Sequence, residues 1–219
     1  MADGTLYIGN RRYSSWSMRG WLAVRLARLD VTVEVIPLAG GMTPAVRAVS
    51  PSGLVPYLEH RGVAVWETLA IGEYCAELAP ALWPQDPATR AHARAIAAEM
   101  HAGFRPLREN MPMNLGRHYP GLGRTEGSLA DIARIEAIWR QTRARFGAGG
   151  PFLFGAGFTL ADAMYAPVVA RLLTYRPALA PETEAYCSAV RGFPPVAEWY
   201  AAAADEPWRI AKYELPEAG

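Results

Sequence analysis

Hydrophobic and polar positions follow two different periods along the first 80 residues. Apolar and polar residues alternate over short stretches, which predicts strands at 5–9, 31–37, 56–60 and 63–66. Elsewhere apolar residues recur every three to four positions, which predicts helices at 16–28 and 67–78. A loop over 39–44 leads into about one helical turn that ends by Val49. The last two strands form a hairpin joined at Arg61-Gly62, where glycine can take positive φ.

The order of these elements, β-α-β-(α)-β-β-α, predicts a thioredoxin-like α/β domain over residues 1–79. Residues 80–87 contain three prolines, cannot continue a helix, and are expected to form a linker. Every later segment has a helical pattern, with helices predicted at 88–115, 129–146, 160–175, 182–190 and 195–204. We therefore expect residues 88–219 to form a second, all-α domain.

Composition and charge narrow the possible functions. The chain has 219 residues, 51% of them hydrophobic, which is enough for a sizeable core. Its net charge is +1, so nothing indicates a nucleic-acid or acidic-membrane partner. The first four residues do not resemble a signal peptide, and no apolar run reaches membrane-spanning length. Two isolated cysteines, Cys75 and Cys187, suit a reducing cytoplasm, and four scattered histidines do not indicate a metal site.

Three serines cluster where the first strand passes into the first helix. Ser14, Ser15 and Ser17 lie in the segment Tyr-Ser-Ser-Trp-Ser-Met. The N-terminus of a helix carries partial positive charge and free N–H groups, so hydroxyls there favour an anion or a thiolate. The simpler alternative is that one of the serines only caps the helix. Tyr13, just before them, is expected to pack.

Two later motifs complete the pattern, Val55-Pro56 after Leu54 and Glu67-Thr68 at the start of a helix. With the serines, they resemble the soluble glutathione transferase family over nearly the whole chain. The segment Ser-Ser-Trp-Ser-Met-Arg at 14–19 is similar to the Ser-Ser-Cys-Ser-Trp-Arg segment of the zeta class, with Trp16 in place of the cysteine. The chain looks closest to a serine-type bacterial branch of the family.

The resemblance implies a role for each motif. Ser14, or Ser15 if the chain is aligned on the theta pattern, donates a hydrogen bond to the sulfur of glutathione, which favours the thiolate. Leu54, Val55 and a cis Pro56 offer backbone to the cysteinyl part of glutathione. Glu67 and Thr68 hold the γ-glutamyl end.

Two parts of the implied site are less defined. The glycine carboxylate of glutathione lacks its usual lysine or glutamine partner, and the candidates to replace it are Arg11, Arg12, Arg19 and Arg47. The second-substrate pocket is expected to be lined by Met100, Phe104, Arg105 and Met111. In the helical half, Thr159 and Asp162 are expected to form a capping box.

The implied activity is attack by the glutathione thiolate on a small electrophile, as in detoxification, by a cytoplasmic homodimer without a metal. A zeta-like alternative is glutathione-dependent cis–trans isomerisation of the maleylacetoacetate type. A different class of function is a non-catalytic binding protein that reuses the fold. A thioredoxin-type disulfide reductase is not expected, because the first helix has neither Cys-x-x-Cys nor a single cysteine at its start.

Overall fold

A computed structural model describes residues 2–41 and 43–216. Met42 of the predicted loop, Met1 of the predicted first domain, and residues 217–219 of the predicted second domain lie outside the described residues. The exact division of the chain into domains at residues 79–88 stays a prediction.

The N-terminal half is built on a mixed sheet. Its strands are β1 (Gly4–Ile8), β2 (Thr32–Val35), β3 (Tyr57–His60) and β4 (Val63–Trp66), in the spatial order β2-β1-β3-β4. β1 pairs parallel with β2 and antiparallel with β3, and β3 pairs antiparallel with β4. The hairpin turn has positive φ at both Arg61 (51°) and Gly62 (78°), as a type I′ turn requires. This topology confirms the predicted thioredoxin-like fold.

The helices of this half are α1 (Ser15–Leu26), α2 (Pro44–Val49) and α3 (Thr68–Leu78). α1 and α3 pack against each other, and the starts of both helices line the same cavity as the loop before β3. Gly20 of α1 allows this loop to come close, because a Cβ at that position would lie 2.7 Å from Cγ of Pro56. A larger residue at position 20 would therefore push the loop away from α1.

The C-terminal half is helical, as predicted. Its helices are α4 (Pro87–Ala102), α5 (Arg105–Asn110), α6 (Glu126–Phe146), α7 (Leu160–Tyr175), α8 (Pro181–Gly192) and α9 (Pro194–Ala204). Short 3-10 helices cover Pro80–Leu82 and Ala211–Tyr213. α7 is buried along almost its whole length and packs against α1, α4 and α8, so it joins the two halves.

Two helix predictions differ from the structure by more than two residues. The helix predicted over 88–115 is interrupted, because Gly103 caps α4 and Phe104 takes a left-handed conformation with φ 57°. α6 begins before the predicted residue 129, because Thr125 and Ser128 form a capping box through bonds of 2.9 and 3.2 Å. The α7 start has the expected Thr159–Asp162 pair, with the Thr159 N–H donating to Asp162 Oδ2 at 2.9 Å.

Candidate functional site

A cavity of about 950 Å³ lies where the two halves of the chain meet. The structure brings to its wall all of the residues predicted for thiol activation and glutathione binding, which are Ser14, Ser15, Leu54, Val55, Pro56, Glu67 and Thr68. These residues come from three separate stretches of sequence. The cavity is therefore the place to ask what chemistry the arrangement supports.

Ser14 is the N-cap residue of α1. Its Oγ accepts a hydrogen bond from the Ser17 N–H at 3.3 Å and donates to Ser17 Oγ at 2.8 Å. Ser17 Oγ in turn accepts from the Gly9 N–H at 2.9 Å, which ties the end of β1 to the helix. Ser14 therefore caps the helix as the simpler alternative required, and it does so while half-buried on the cavity wall.

Ser15 has a different environment although it also lines the cavity. Its side chain is buried, and its Oγ accepts a hydrogen bond from Arg171 Nη2 at 3.4 Å. Its backbone carbonyl accepts from Arg19 Nη1 at 3.2 Å. Ser15 is thus held between two arginines, whereas the Ser14 hydroxyl has only another hydroxyl to release. A hydroxyl hydrogen rotates to suit its partner, so Ser14 can turn towards a new acceptor at little cost.

The Val55–Pro56 peptide bond is cis, as the motif predicted. The loop that carries it leads directly into β3 and holds Leu54 61% exposed at the cavity rim. The Leu54 N–H donates to Ser52 Oγ at 3.3 Å. This loop and the first turn of α1 form adjacent walls of the cavity, held in place by the contact between Gly20 and Pro56.

Glu67 and Thr68 open α3 on the same cavity. Glu67 precedes the helix with φ 69°, an unfavourable conformation for a residue with a side chain that recurs at functional positions. Thr68 is buried, and its Oγ1 donates to the Trp16 carbonyl at 3.4 Å, which links the first turns of α3 and α1. Two helix N-termini, each with partial positive charge, therefore converge on one cavity.

The residues predicted for a second-substrate pocket lie elsewhere, and this is a correction. Met100 and Met111 are 0% exposed and belong to the hydrophobic core, as does Phe104, while Arg105 is exposed and pairs with Glu109 at 2.7 Å. The physical reason is the helical rotation of about 100° per residue. It turns Met100 of α4 into the core and brings its neighbour His101 to the cavity wall.

Most of the remaining lining on the helical side of the cavity is aromatic, cationic or apolar. It includes Trp16, His101, Arg108, Pro112, Met113, Arg171 and Tyr213. His101 lies 5.1 Å from Trp16, ring centroid to ring centroid, and its Nε2 lies 3.6 Å from Glu67 Oε2. Burial is the main cause that lowers the pKa of His101, which favours the neutral ring despite the opposing effect of Glu67.

Three arginines surround Trp16 and Ser15. The guanidinium carbons of Arg19 and Arg108 lie 4.7 and 5.4 Å from the Trp16 ring centroid. Arg171 reaches Ser15, and Arg19 is fully buried with Nη2 lacking a hydrogen-bond partner. Within residues 2–41 and 43–216, none of the three forms an ion pair with a carboxylate.

Arg108 and Arg171 therefore place two guanidinium groups on the cavity lining without a carboxylate partner among the described residues. Burial lowers the pKa of Arg171 to about 10, with Arg108 adding repulsion, and burial also lowers the pKa of Arg19 and of Arg108. The sequence analysis did not identify Arg171, although an arginine in the middle of the largely apolar helix α7 was a visible signal.

The four arginines considered as partners of the glycine carboxylate have different surroundings in the structure. Arg47 lines the cavity beside Gly53, with its Cγ 3.2 Å from where a Gly53 Cβ would lie. Arg11 and Arg12 bind the segment around Glu206, and Arg19 is buried against Trp16. Of these four, Arg47 is therefore the cation available to a ligand at the Leu54 end of the cavity.

Other predicted features can be placed briefly. Both cysteines are buried and free, and burial raises the pKa of each to about 12. In the described part of the chain, no group of three or more His, Cys, Asp or Glu side chains is arranged to hold a metal ion. Among the same residues, no helix has the length and apolar character needed to cross a membrane.

The sequence is similar to curated proteins that are named as maleylacetoacetate isomerases. Curated relatives include the probable maleylacetoacetate isomerase of Caenorhabditis elegans, 29% identical over 75% of this chain and 76% of that protein. The maleylacetoacetate isomerase of Rattus norvegicus is 27% identical over 80% of this chain and 81% of its own length.

Solved structures share the fold. A glutathione transferase homolog from Burkholderia, with bound glutathione, has a TM-score of 0.71 and 23% identity over 93% of this chain and 99% of that one. A theta-class glutathione S-transferase from Xanthomonas axonopodis pv. citri, with glutathione bound, has a TM-score of 0.66 and 25% identity over 91% of this chain and 98% of that one.

Family models match both halves of the chain. Residues 13–78 match the model for the glutathione S-transferase N-terminal domain, and residues 90–202 match that for the C-terminal domain. The second match alone covers more than half of the 219 residues. With its cavity between a thioredoxin-like half and a helical half, this chain belongs to the glutathione S-transferase family.

Proposed function

We propose that this protein binds glutathione as a cosubstrate and activates it as a thiolate at the N-terminus of α1 for attack on a small electrophile. One observation carries the proposal. The N-termini of α1 and α3 open on a single cavity, and the cis Val55–Pro56 step lies on the wall between them. Few arrangements of backbone offer so many free N–H groups to one anionic tripeptide.

The chemistry needs the thiolate, because the thiol of a free cysteine has a pKa near 8.5 and is a poor nucleophile when protonated. Ser14 assists by turning its O–H from Ser17 to the sulfur, and a hydrogen bond to a charged acceptor is stronger than the bond it replaces. The helix N-terminus adds partial positive charge. Ser15 is the second candidate for this donor, restrained by Arg171.

The rest of the cavity suits the other groups of glutathione. Glu67 would receive the α-amino group, and Thr68 with the first N–H groups of α3 would receive the γ-glutamyl carboxylate. Leu54 and Val55 would offer backbone to the cysteinyl part, and Arg47 would receive the glycine carboxylate. His101 Nε2 lies 3.6 Å from Glu67 Oε2, so the two side chains are neighbours on the cavity lining.

A specific observation favours a second candidate, glutathione-dependent cis–trans isomerisation of an acidic substrate. Arg108 and Arg171 line the cavity without a carboxylate partner among the described residues. The second substrate is therefore expected to have a carboxylate group that binds these two arginines. In such a reaction the thiolate adds to one carbon of a double bond, the resulting single bond rotates, and elimination regenerates the thiolate. The isomerase names of the relatives agree with this candidate.

The side chains around Trp16 suggest how an acidic substrate would lie in the cavity. Zeta-like proteins have a cysteine where this chain has Trp16, and the indole fills space between Arg19, Arg108 and His101. A planar, conjugated acid would therefore lie with its carboxylate at the arginines and its unsaturated part against Trp16, close to the Ser14 end of the cavity.

The first test is an ultraviolet difference titration of glutathione bound to the purified protein. We expect a bound-thiol pKa between about 4 and 7, in the range found at helix N-termini. Binding with an unshifted thiol pKa would contradict thiolate activation, and no binding at millimolar glutathione would favour a non-catalytic protein that reuses the fold.

A second assay separates the two enzyme activities. Maleylacetoacetate is incubated with the protein and a small amount of glutathione, and both are followed over time. Many turnovers per glutathione indicate isomerisation, whereas consumption of one glutathione per substrate indicates conjugation. Activity with neutral but not with acidic electrophiles would contradict the role given to Arg108 and Arg171.

The family resemblance also supports a homodimer in the cytoplasm. Exposed apolar side chains at Val63, Trp66, Leu78 and Leu129 belong to elements of both halves and would be covered by a second copy. Size-exclusion chromatography with light scattering tests this: a mass near twice 23.9 kDa is expected, and a mass of 23.9 kDa would contradict it.

A further inference from the structure

A second cavity lies away from the proposed thiol site, in the helical half of the chain. Its volume is about 350 Å³, within the range of about 300–1,000 Å³ that is typical of small-molecule sites. It lies between the end of α6 and the start of α8, and it shares no described lining residue with the larger cavity. We call it the α6–α8 groove, lined by Trp139, Arg140 and Arg143 of α6 and by Glu182, Thr183 and Tyr186 of α8.

Two arginines of the α6–α8 groove have no partner of opposite charge. Arg140 and Arg143 are three residues apart on α6, so they lie on one face of the helix. Neither forms an ion pair with a carboxylate of residues 2–41 or 43–216. Arg143 Nη1 donates to the backbone carbonyl of Glu182 at 3.4 Å, and its guanidinium carbon lies 5.7 Å from the Tyr186 ring centroid. These contacts hold the Arg143 guanidinium at the groove without neutralising its charge.

The charge balance of the groove favours an anion. Glu182 is the one acid among the described residues that line it, and its exposed carboxylate is not ion-paired with either arginine. The start of α8 and the end of α6 both lie at the groove, so their partial charges, about half a unit each and opposite in sign, nearly cancel. Two guanidinium groups against one carboxylate therefore leave net positive charge.

The bed of the groove is formed by ordered aromatic rings. Trp139 and Tyr186 are each 1% exposed, and their ring centroids lie 4.6 Å apart. The Tyr186 hydroxyl donates to the buried Asp162 carboxylate at 3.0 Å, which ties this ring to the first turn of α7. The Trp139 Nε1–H is buried and has no hydrogen-bond partner in the described part of the chain. The other lining residues are small and leave the groove unfilled, namely Ala144, Gly147 and Ala148.

This combination suits an organic acid better than a hydrated inorganic anion. A guanidinium presents planar donors that match the two oxygens of a carboxylate, and such charge-assisted hydrogen bonds are stronger than neutral ones. An apolar group that leaves water for the alanines and the ring edges adds favourable free energy that an inorganic ion cannot gain.

We propose that the α6–α8 groove is a binding site for a small organic carboxylate whose apolar body is about the size of one aromatic ring. The carboxylate accepts hydrogen bonds from Arg140 and Arg143, and the apolar body lies over Ala144 and Ala148 beside Tyr186. The site is separate from the proposed function, because it shares no described lining residue with the thiol-site cavity and needs no glutathione.

The test is isothermal titration of the glutathione-free protein with benzoate. Benzamide, its neutral analogue, and acetate, which lacks the ring, are titrated in parallel. We expect benzoate to bind with a Kd of about 1 mM or lower and each of the other two probes to bind about tenfold more weakly or not at all. Equal binding of benzamide would contradict the role of the arginines, and equal binding of acetate would contradict the apolar bed.

Three variants locate the bound acid. Arg143→Met should raise the Kd of benzoate about tenfold, since it removes one charge-assisted partner. The matched control is Arg145→Met, which makes the same charge change in the last turn of α6 at an exposed residue that does not line the groove. Its Kd should equal that of the wild type. Ala144→Leu fills the groove and keeps both arginines, so it should also abolish binding, which keeps the test valid if Arg143→Met is poorly folded.

Each outcome decides the proposal. No heat with benzoate at about 20 mM, or an unchanged Kd in both Arg143→Met and Ala144→Leu, would overturn it. In the second case, loss of benzoate binding in Arg108→Met would place the acid in the larger cavity instead. Failure of the proposed function has a different signature, namely that glutathione does not bind the wild-type protein, and the benzoate titrations are independent of that result.

Discussion

Replacing Ser14 by alanine removes the hydroxyl proposed to donate to the glutathione sulfur, and its effect is expected mainly on the thiol pKa. A hydrogen bond to a charged acceptor contributes about 1.5–3 kcal/mol. One pKa unit corresponds to about 1.4 kcal/mol, so the pKa of the bound glutathione thiol should rise by about one to two units. The affinity for glutathione should change less, because Leu54, Val55, Glu67 and Thr68 are untouched.

The same substitution removes a helix cap, and this second effect needs its own control. Ser14 Oγ accepts from the Ser17 N–H, and loss of such a cap costs about 1 kcal/mol of stability. Glycine at an N-cap costs only a few tenths of a kcal/mol relative to serine. Ser14→Gly therefore lacks the hydroxyl but keeps most of the cap, and Ser14→Thr keeps both.

The assay is the bound-thiol titration together with the pH profile of conjugation. We expect the thiol pKa to rise in both Ser14→Ala and Ser14→Gly and to be restored in Ser14→Thr. Below the wild-type thiol pKa the rate should fall about ten- to a hundredfold, in proportion to the lost thiolate, and the loss should shrink as the pH rises through the new pKa. An unchanged thiol pKa in both variants, with an increase in Ser15→Ala, would refute the reasoning and assign the role to Ser15.

Three further predictions concern charge and burial. Arg108→Met should raise the KM for an acidic electrophile about tenfold or more and leave that for a neutral one nearly unchanged; steady-state kinetics with both measure it, and equal effects would contradict an anion site. Asp162→Ala should destabilise the protein by about 3–5 kcal/mol in urea unfolding, because the buried carboxylate accepts from two backbone N–H groups and two hydroxyls. His101 should titrate below 6.5 by NMR, since burial lowers its pKa. Because a lowered pKa favours the neutral ring, its contribution to stability is full above pH 6.5 and is lost as the pH falls, and a midpoint above 6.5 would contradict this.

Local patterns in the sequence were sufficient for most of the secondary structure. The hairpin strand 63–66 and helix 160–175 agree with β4 and α7 as observed. Both segments have an unambiguous hydrophobic period and clear boundary signals. The division of 88–115 into α4 and α5 was missed, because the left-handed conformation of Phe104 is imposed by its surroundings and not by its own preference.

The candidate site also has one part that the sequence predicted and one part that it did not. Short motifs identified Ser14, Val55-Pro56 and Glu67-Thr68, because a helix start or an X-Pro step is a local property of the chain, and the fold then brought them to one cavity. The helical side of the cavity, with His101, Arg108 and Arg171, could not be predicted in this way. The helical period of α4 does not tell which of Met100 and His101 faces a cavity formed by other elements.

The sequence by itself therefore determined the fold class, most of the helices and strands, and the hydroxyl-rich start of α1. The tertiary structure alone decided that Arg171 reaches Ser15 across 156 residues and that Glu214 reaches Tyr13 across 201. Neither pairing has a sequence signature, because contacts between distant segments depend on how whole helices pack. The chemistry proposed for the thiol is thus largely local, whereas the shape and charge of the second-substrate side are properties of the assembled fold.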